Sequence, residues 1–345
     1  MRVVSEVRID PLTGQRAILA EVRAGRPGSG LGGARPGPDG EGRPAGGAGE
    51  DRAAAVAAED PFAPGNEACT PPELYAIRED GSAPDTPGWR VRVVPNRYPA
   101  LTPDAGDPPP SATPDLFWSG AARGAHEVII NAAEPVSSLA DLEPSQVALA
   151  VDVWRERMRA HPEAACLHLM VNEGPGAGAS IAHTHAQLFA LDFVPAAIAR
   201  ERERFGAYAT RTMGGNLLGD LLQQEVRRRE RVIAVDAEAV LLATWAAAVP
   251  YQLMIIPRRS RMRFEEEGPT AAALLHDALT RLRRRLGHGA PVNLWVRTAP
   301  RGAEHFCWRI DIVPRLTQLA GFELGTGVGL NVVAPERAAA ELRDA

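Results

Sequence analysis

Lysine is missing from this chain: all 38 of its Lys-or-Arg positions are arginine. No lysine Schiff base or lysine proton donor is available, so any phosphate contact must use arginine, histidine, hydroxyls or the backbone. Ala, Gly and Pro are also abundant, and the bias reads mainly as codon usage. Cysteine is scarce. Cys69, Cys166 and Cys307 are odd in number and far apart, with no C-x-x-C pair. That argues against a disulfide framework and a cysteine-rich zinc site, and it fits a reducing compartment. No apolar run approaches the ~20 residues that span a bilayer. The N-terminus carries Arg2, Glu6 and Arg8 and no apolar core, so it does not read as a signal peptide. Net charge is −5 and spread along the chain, which gives no electrostatic case for nucleic acid. The expectation is a soluble cytoplasmic protein that binds neither membrane nor nucleic acid.

What is present suffices for one large domain or two ordinary ones: 345 residues, 45% of them apolar. The most informative stretch runs from Asn172 to Gln187, N-E-G-P-G-A-G-A-S-I-A-H-T-H-A-Q. A Gly-rich loop leads into an alternating segment. In an extended backbone His183, His185 and Gln187 share a face. The small residues before them let backbone N–H groups approach an anion. This suits attack by an imidazole on a phosphate. An isolated H-x-H equally fits a half-buried strand with two satisfied histidines.

Around this stretch a pattern occurs twice. The first copy has a strand at Val128–Ile130 and a helix opened by Pro144, with Val147, Val151, Trp154 and Met158 as its buried stripe. A strand at Leu167–Val171, the loop and the H-T-H-A-Q strand follow. The second copy has a strand at Leu253–Pro257 and a helix near Thr270–Leu286, with Ala273, Leu274, Ala278 and Leu282 inward. A strand at Asn293–Val296 and the segment Cys307–Val313 complete it. Overlaid, His183 falls on Cys307, His185 on Arg309 and Gln187 on Asp311. The prediction is an α+β fold of two related units around one extended, mainly antiparallel sheet with flanking helices. The first unit covers 1–195 and the second, degenerate one 196–345. Residues 27–58, rich in Gly, Pro and Ala, predict a disordered insert. His126 and His305 read as ordinary surface or turn residues.

Several pieces in this order resemble the galactose-1-phosphate uridylyltransferases, a histidine-triad family with a duplicated fold. They are D-P-L-T-G-Q at Asp10–Gln15, P-F-A-P-G-N-E at Pro61–Glu67, P-N-R-Y-P at Pro95–Pro99, the N-E-G…H-T-H-A-Q core, and I-V-P-R-L-T…A-G-F-E-L-G-T-G at Ile312–Gly327. The resemblance implies ping-pong transfer of UMP from UDP-glucose to galactose 1-phosphate. His185 takes the nucleophile's position. Gln187 matches a glutamine on the phosphoryl oxygens, and Ser180 with the backbone around Gly178 matches phosphate-holding positions. Asn172 matches an asparagine near the nucleotide. Arg23 and Arg26 match phosphate-contacting arginines, and Asn96 and Arg97 sit at uridine-contacting positions. Gly325, Thr326, Gly327 and Asn331 lie where the family's C-terminal segment reaches the sugar phosphate. The family commonly dimerises, so a homodimer is an expectation.

The chain departs from the family at both metal sites. The family's cysteine pair reads Asp60 and Ala63 here, and a downstream zinc-binding histidine reads Pro135. Of the zinc ligands His183 alone remains, and one imidazole with one carboxylate cannot make a four-ligand site. The expectation is no zinc and no cofactor, with His183 structural or orienting. At the second site Glu201 is retained, while the histidine positions read Arg297, Arg309 and Asp311. There the expectation is an arginine–carboxylate cluster in place of the metal. Two alternatives stand beside the uridylyltransferase reading. One is a phosphorylase acting on ADP-glucose or dinucleoside polyphosphates. The other is a catalytically silent nucleotide-sugar binding protein.

Overall fold

The computed structural model describes residues 5–21, 23, 60–266 and 268–345. Arg26 and the insert expected at 27–58 lie outside the described residues. In chain order the strands are β1 (Glu6–Ile9), β2 (Arg16–Leu19), β3 (Tyr75–Arg78), β4 (Trp89–Pro95), β5 (Ser119–Ala121), β6 (Gly124–Ile130) and β7 (Cys166–Glu173). They continue with β8 (His185–Leu191), β9 (Val232–Val235), β10 (Ala239–Ala243), β11 (Leu253–Pro257), β12 (Val292–Arg297) and β13 (Arg309–Pro314). The α-helices are α1 (Pro144–Arg159), α2 (Ala196–Arg211), α3 (Leu217–Arg228), α4 (Ala272–Leu286), α5 (Gly321–Thr326) and α6 (Pro335–Arg343).

Ten strands form one sheet in the order β3-β4-β6-β8-β7-β12-β13-β11-β10-β9, and every neighbouring pair is antiparallel. Outward from the β7–β12 seam the halves match: β7-β8-β6-β4-β3 against β12-β13-β11-β10-β9. In each half an inner strand (β6 or β11) leads to a helix (α1 or α4), then the seam strand, a loop, and the strand beside the seam. This is the predicted duplication. β1, β2 and β5 make a separate three-stranded sheet. The sequence reading does not anticipate β3 or β5, which are too short, at four and three residues, to carry a period-2 pattern.

Alternation decides what each face of the large sheet meets. Leu169, Val171, Ala186, Leu188 and Ala190 turn to one face and share a core with Val147, Val151, Trp154 and Met158 of α1 and with α4. The α1 stripe read from spacing is thus buried as expected. Truncating a fully buried ring such as Trp154 costs about 3–5 kcal/mol. In α4 one position differs. Ala273 is exposed while Ala272 and Leu275 take inward places, because at about 100° per residue Ala273 turns away from the stripe of Leu274, Ala278 and Leu282. The opposite face carries His185, Gln187 and Phe189, and α2 and α3 pack on this side through Ile198, Phe205, Leu218 and Leu222. β6 begins at Gly124, with φ +140° and a built Cβ only 2.1 Å from the Ala190 carbonyl oxygen. Only glycine fits this close strand crossing. No helix among the described residues is long and apolar enough to cross a membrane.

Candidate active site

β8 starts at His185, not at His183; residues 181–183 form a bend. Both imidazoles meet Phe62 edge to face, with centroids 6.3 Å (His183) and 5.1 Å (His185) from its ring, yet His183 lies outside the strand. Thr184 explains why. Its N–H donates to the Val136 carbonyl and its carbonyl accepts from the Asn131 N–H, so the chain before β8 is tied to the loop after β6. Asn131, fully buried, also donates to Thr184 Oγ1 (3.1 Å) and accepts from Trp154 Nε1 (2.9 Å). The sequence reading missed Asn131.

His185 opens into a cavity of about 160 Å³ whose lining includes Phe62, Cys69, Asn96, Arg97, Ser180 and Gln187. His185 Nδ1 lies 2.8 Å from the carbonyl oxygen of His183. A carbonyl only accepts, so Nδ1 carries the proton and the lone pair sits on Nε2. Phe62 meets the imidazole edge to face, with centroids 5.1 Å apart. The box around Phe62 is held from below. Buried Glu67 accepts from Trp89 Nε1 (2.8 Å) and from the Gly65 N–H (3.0 Å), and Asn66 donates to the Asp60 carbonyl (2.7 Å). Asn96 Oδ1 accepts from the Tyr98 N–H at 2.8 Å, and Arg97 donates to the Cys69 carbonyl at 3.3 Å. Arg23 reaches the same segment through the Tyr98 carbonyl, at 2.6 Å.

The Gly-rich loop flanks this cavity. Gly178 takes the left-handed conformation (φ +84°) after the 3-10 turn Pro175–Ala177. Asn172 lies on β7 on the same face as Met170, the cross-strand partner of Gln187. Its side-chain oxygen accepts from Asn293 of β12, which also donates to the Ala177 carbonyl (2.7 and 2.8 Å). The second copy thus braces the loop of the first. Behind the loop lies another cavity, about 330 Å³, which Ser180 shares and which holds Glu173, Arg283 and His288.

The structure brings together His185, Gln187, Ser180, Asn96 and Arg97, with Arg23, Asn172 and Gly178 beside them. It does not bring Gly325, Thr326, Gly327 or Asn331 into the lining of that cavity. Gly325 and Thr326 belong to the exposed α5 and Gly327 caps it, while Asn331 donates to the Ala247 carbonyl in the second half. His305 is exposed as expected. His126 is not the surface residue the sequence reading takes it for. It is 4% exposed and contacts Gln187.

His183 Nδ1 faces Asp60 Oδ2 (2.7 Å), and Nε2 faces the Ala132 carbonyl (2.8 Å). Both ring nitrogens thus lie within hydrogen-bond distance of a protein oxygen. Ala63 has no donor atom in its side chain. These residues do not fit a four-ligand zinc. On the second half, Arg309 pairs with Glu201, and its Nε lies 3.0 Å from Asp311 Oδ1. Trp295 Nε1 donates to Asp311 Oδ2 (2.9 Å), and Arg297 Nε lies 3.3 Å from Glu201. Burial alone would lower the Arg309 pKa; Asp311 and Glu201 outweigh it and raise the value. Among the described residues no group of three or more His, Cys, Asp or Glu side chains is arranged to hold a metal.

Known proteins resemble this chain in sequence and in fold. Residues 2–195 match the profile of the galactose-1-phosphate uridyl transferase N-terminal domain, and residues 138–344 match a domain family of unknown function. The chain is 27% identical to the ADP-glucose phosphorylase of Arabidopsis thaliana, over 98% of this chain and 92% of that one. It is also 27% identical to a galactose-1-phosphate uridylyltransferase of Cryptococcus neoformans, over 76% and 75%. The crystal structure of an A. thaliana ADP-glucose phosphorylase with bound ADP-glucose superposes with a TM-score of 0.71 at 25% identity, over 99% of both chains. With the profile match spanning more than half of its length, this chain belongs to the galactose-1-phosphate uridylyltransferase family and is a nucleotidylyltransferase-like enzyme.

Proposed function

We propose that the chain moves a nucleoside monophosphate from a nucleotide sugar to a phosphate-bearing acceptor through a covalent intermediate on His185. The observation that carries this reading is the 2.8 Å bond from His185 Nδ1–H to the His183 carbonyl, which leaves the ring lone pair on Nε2 inside a cavity shared with Gln187 and Ser180. Nε2 attacks the α-phosphorus. The phosphorus–oxygen bond to the sugar phosphate breaks, and its electron pair leaves on that oxygen. In the second half an acceptor phosphate oxygen attacks the same phosphorus, the phosphorus–nitrogen bond breaks, and its electron pair returns to Nε2. Gln187, Ser180 and the backbone near Gly178 stabilise the charge that develops on the phosphoryl oxygens. Arg97 and Asn96 hold the nucleoside, and Arg23 and Arg26 supply positive charge at the phosphates.

The motif set favours UDP-glucose as donor and galactose 1-phosphate as acceptor. A second reading, ADP-glucose as donor with inorganic phosphate as acceptor, draws support from the near full-length alignment to the ADP-glucose phosphorylase. In both readings no zinc or other cofactor is needed. Asp60 satisfies His183, and the Arg309 guanidinium stands between Glu201 and Asp311. The sugar-phosphate role of Gly325–Gly327 and Asn331 then calls for a homodimer. Support comes from the exposed apolar side chains Phe322, Leu324, Val328, Leu330 and Val332 around those positions.

The test is intact-mass measurement after incubation with UDP-glucose, ADP-glucose or a diadenosine polyphosphate. A mass increase of one UMP or AMP is expected with one donor, and none with His185→Ala. Absence of an adduct with every donor, at concentrations where binding is seen, overturns the reading in favour of a silent binding protein.

A further inference from the structure

From the hydrogen bonds around β6 we infer that His126 is a positioning residue that fixes which end of the Gln187 amide faces the phosphoryl group. The inference rests on the nucleotidyl-transfer reading of the His185 cavity.

An amide has a donor end and an acceptor end, and only the donor end stabilises a phosphoryl oxygen. The chain itself decides which end is turned inward. The backbone N–H of Ala100 points at His126 Nδ1, 3.2 Å away. A backbone N–H can only donate, so Nδ1 accepts and the proton of the neutral ring sits on Nε2. His126 Nε2 lies 3.1 Å from Gln187 Oε1 and donates to it. The Gln187 amide nitrogen is thereby turned away from His126, in a side chain that lines the His185 cavity.

Asn96 Nδ2 also approaches His126 Nε2, at 3.2 Å. The Asn96 oxygen already accepts from the Tyr98 N–H, so at this point Asn96 presents N–H groups that cannot accept the Nε2 proton. Gln187 Oε1 is then the acceptor for the Nε2 proton. Phe189 stacks on the imidazole with centroids 3.9 Å apart and planes at 24°, which holds the ring in the plane these bonds require. The same ring therefore couples the Ala100 backbone to Gln187.

A double-mutant cycle tests this with whichever donor labels the enzyme. His126→Phe keeps the ring and its stacking but neither hydrogen bond. It is expected to slow adduct formation in a single turnover about 10- to 100-fold, with little change in the apparent affinity for donor. In a Gln187→Ala background the same substitution is expected to change the rate less than about twofold. His126→Gln, which can accept from Ala100 and donate to Gln187, is expected to recover most of the rate. Equal losses with and without Gln187, or no recovery by glutamine, overturn the inference.

A second measurement does not depend on a donor. Nitrogen-15 NMR of histidine-labelled protein is expected to find His126 as the neutral Nε2–H tautomer. The Nδ1–H tautomer or an imidazolium overturns the inference even if no donor labels His185. Failure of every donor to label, with this tautomer present, counts against the transfer reading alone.

Discussion

Glu173 closes β7 with its carboxylate buried behind the Gly-rich loop, accepting from Ser138 Oγ and from the Leu139 N–H at 2.7 Å each. Burial outweighs these bonds and pushes its pKa up from 4.5 to about 7. The native state therefore prefers the neutral acid. The contribution of Glu173 to stability is complete below the unfolded value of 4.5 and is lost as pH rises through about 7. Glu173→Gln can accept from the Leu139 N–H and donate to Ser138 Oγ, as the neutral acid does, and it removes the titration. Thermal unfolding should find it more stable than the parent at pH 8, by about 2–3 kcal/mol. The gap should shrink toward pH 5, and a pH-independent difference would contradict the assignment. Single residues differ in how far the sequence discloses them. His185 and Gln187 stand out because a Gly-rich loop and a period-2 segment meet there. His126 carries the same parity as Val128 and Ile130 and faces β8, but a lone histidine two residues after a glycine gives no sign of which backbone N–H it will meet.

At the scale of elements, β12, β13 and α2 converge on one ion cluster. Glu201 of α2 approaches Arg297 of β12 and Arg309 of β13, and Asp311 is bonded by Arg309 and Trp295. Two carboxylates and two guanidiniums balance in charge, and bidentate geometry suits arginine where lysine would not serve. Elemental analysis of purified protein is expected to find well under one equivalent of zinc and of iron. A stoichiometric amount of either metal would overturn the view that arginine fills this position. Here the overlay of the two sequence copies is informative, since it aligns Arg309 with His185, and each opens its strand. The helix stripe of α1 was legible for the same kind of reason: four large residues recur at 3.6-residue spacing. The onset of β8 was not legible, because Thr184 is tied down by partners in the loop after β6, far away in the chain.

For the whole molecule, the duplication and the antiparallel sheet follow from pattern, whereas the exposure of the apolar C-terminal segment does not. Exposed Leu324 and Leu330 have no aqueous rationale as a group. Light scattering is expected to give twice the mass of one chain. Leu324→Glu with Leu330→Glu should shift it toward one chain, and a monomeric parent would rule the dimer out. The seam between β7 and β12 has a consequence of its own. The two copies are joined by a backbone ladder running from Val292↔Glu173 to Val296↔Leu169. Separated after residue 195, the halves would bare β7 on one fragment and β12 on the other, each a hydrophobic edge ready to pair with whatever strand it met. The ladder that completes one sheet is thus also what keeps two sticky edges out of solution.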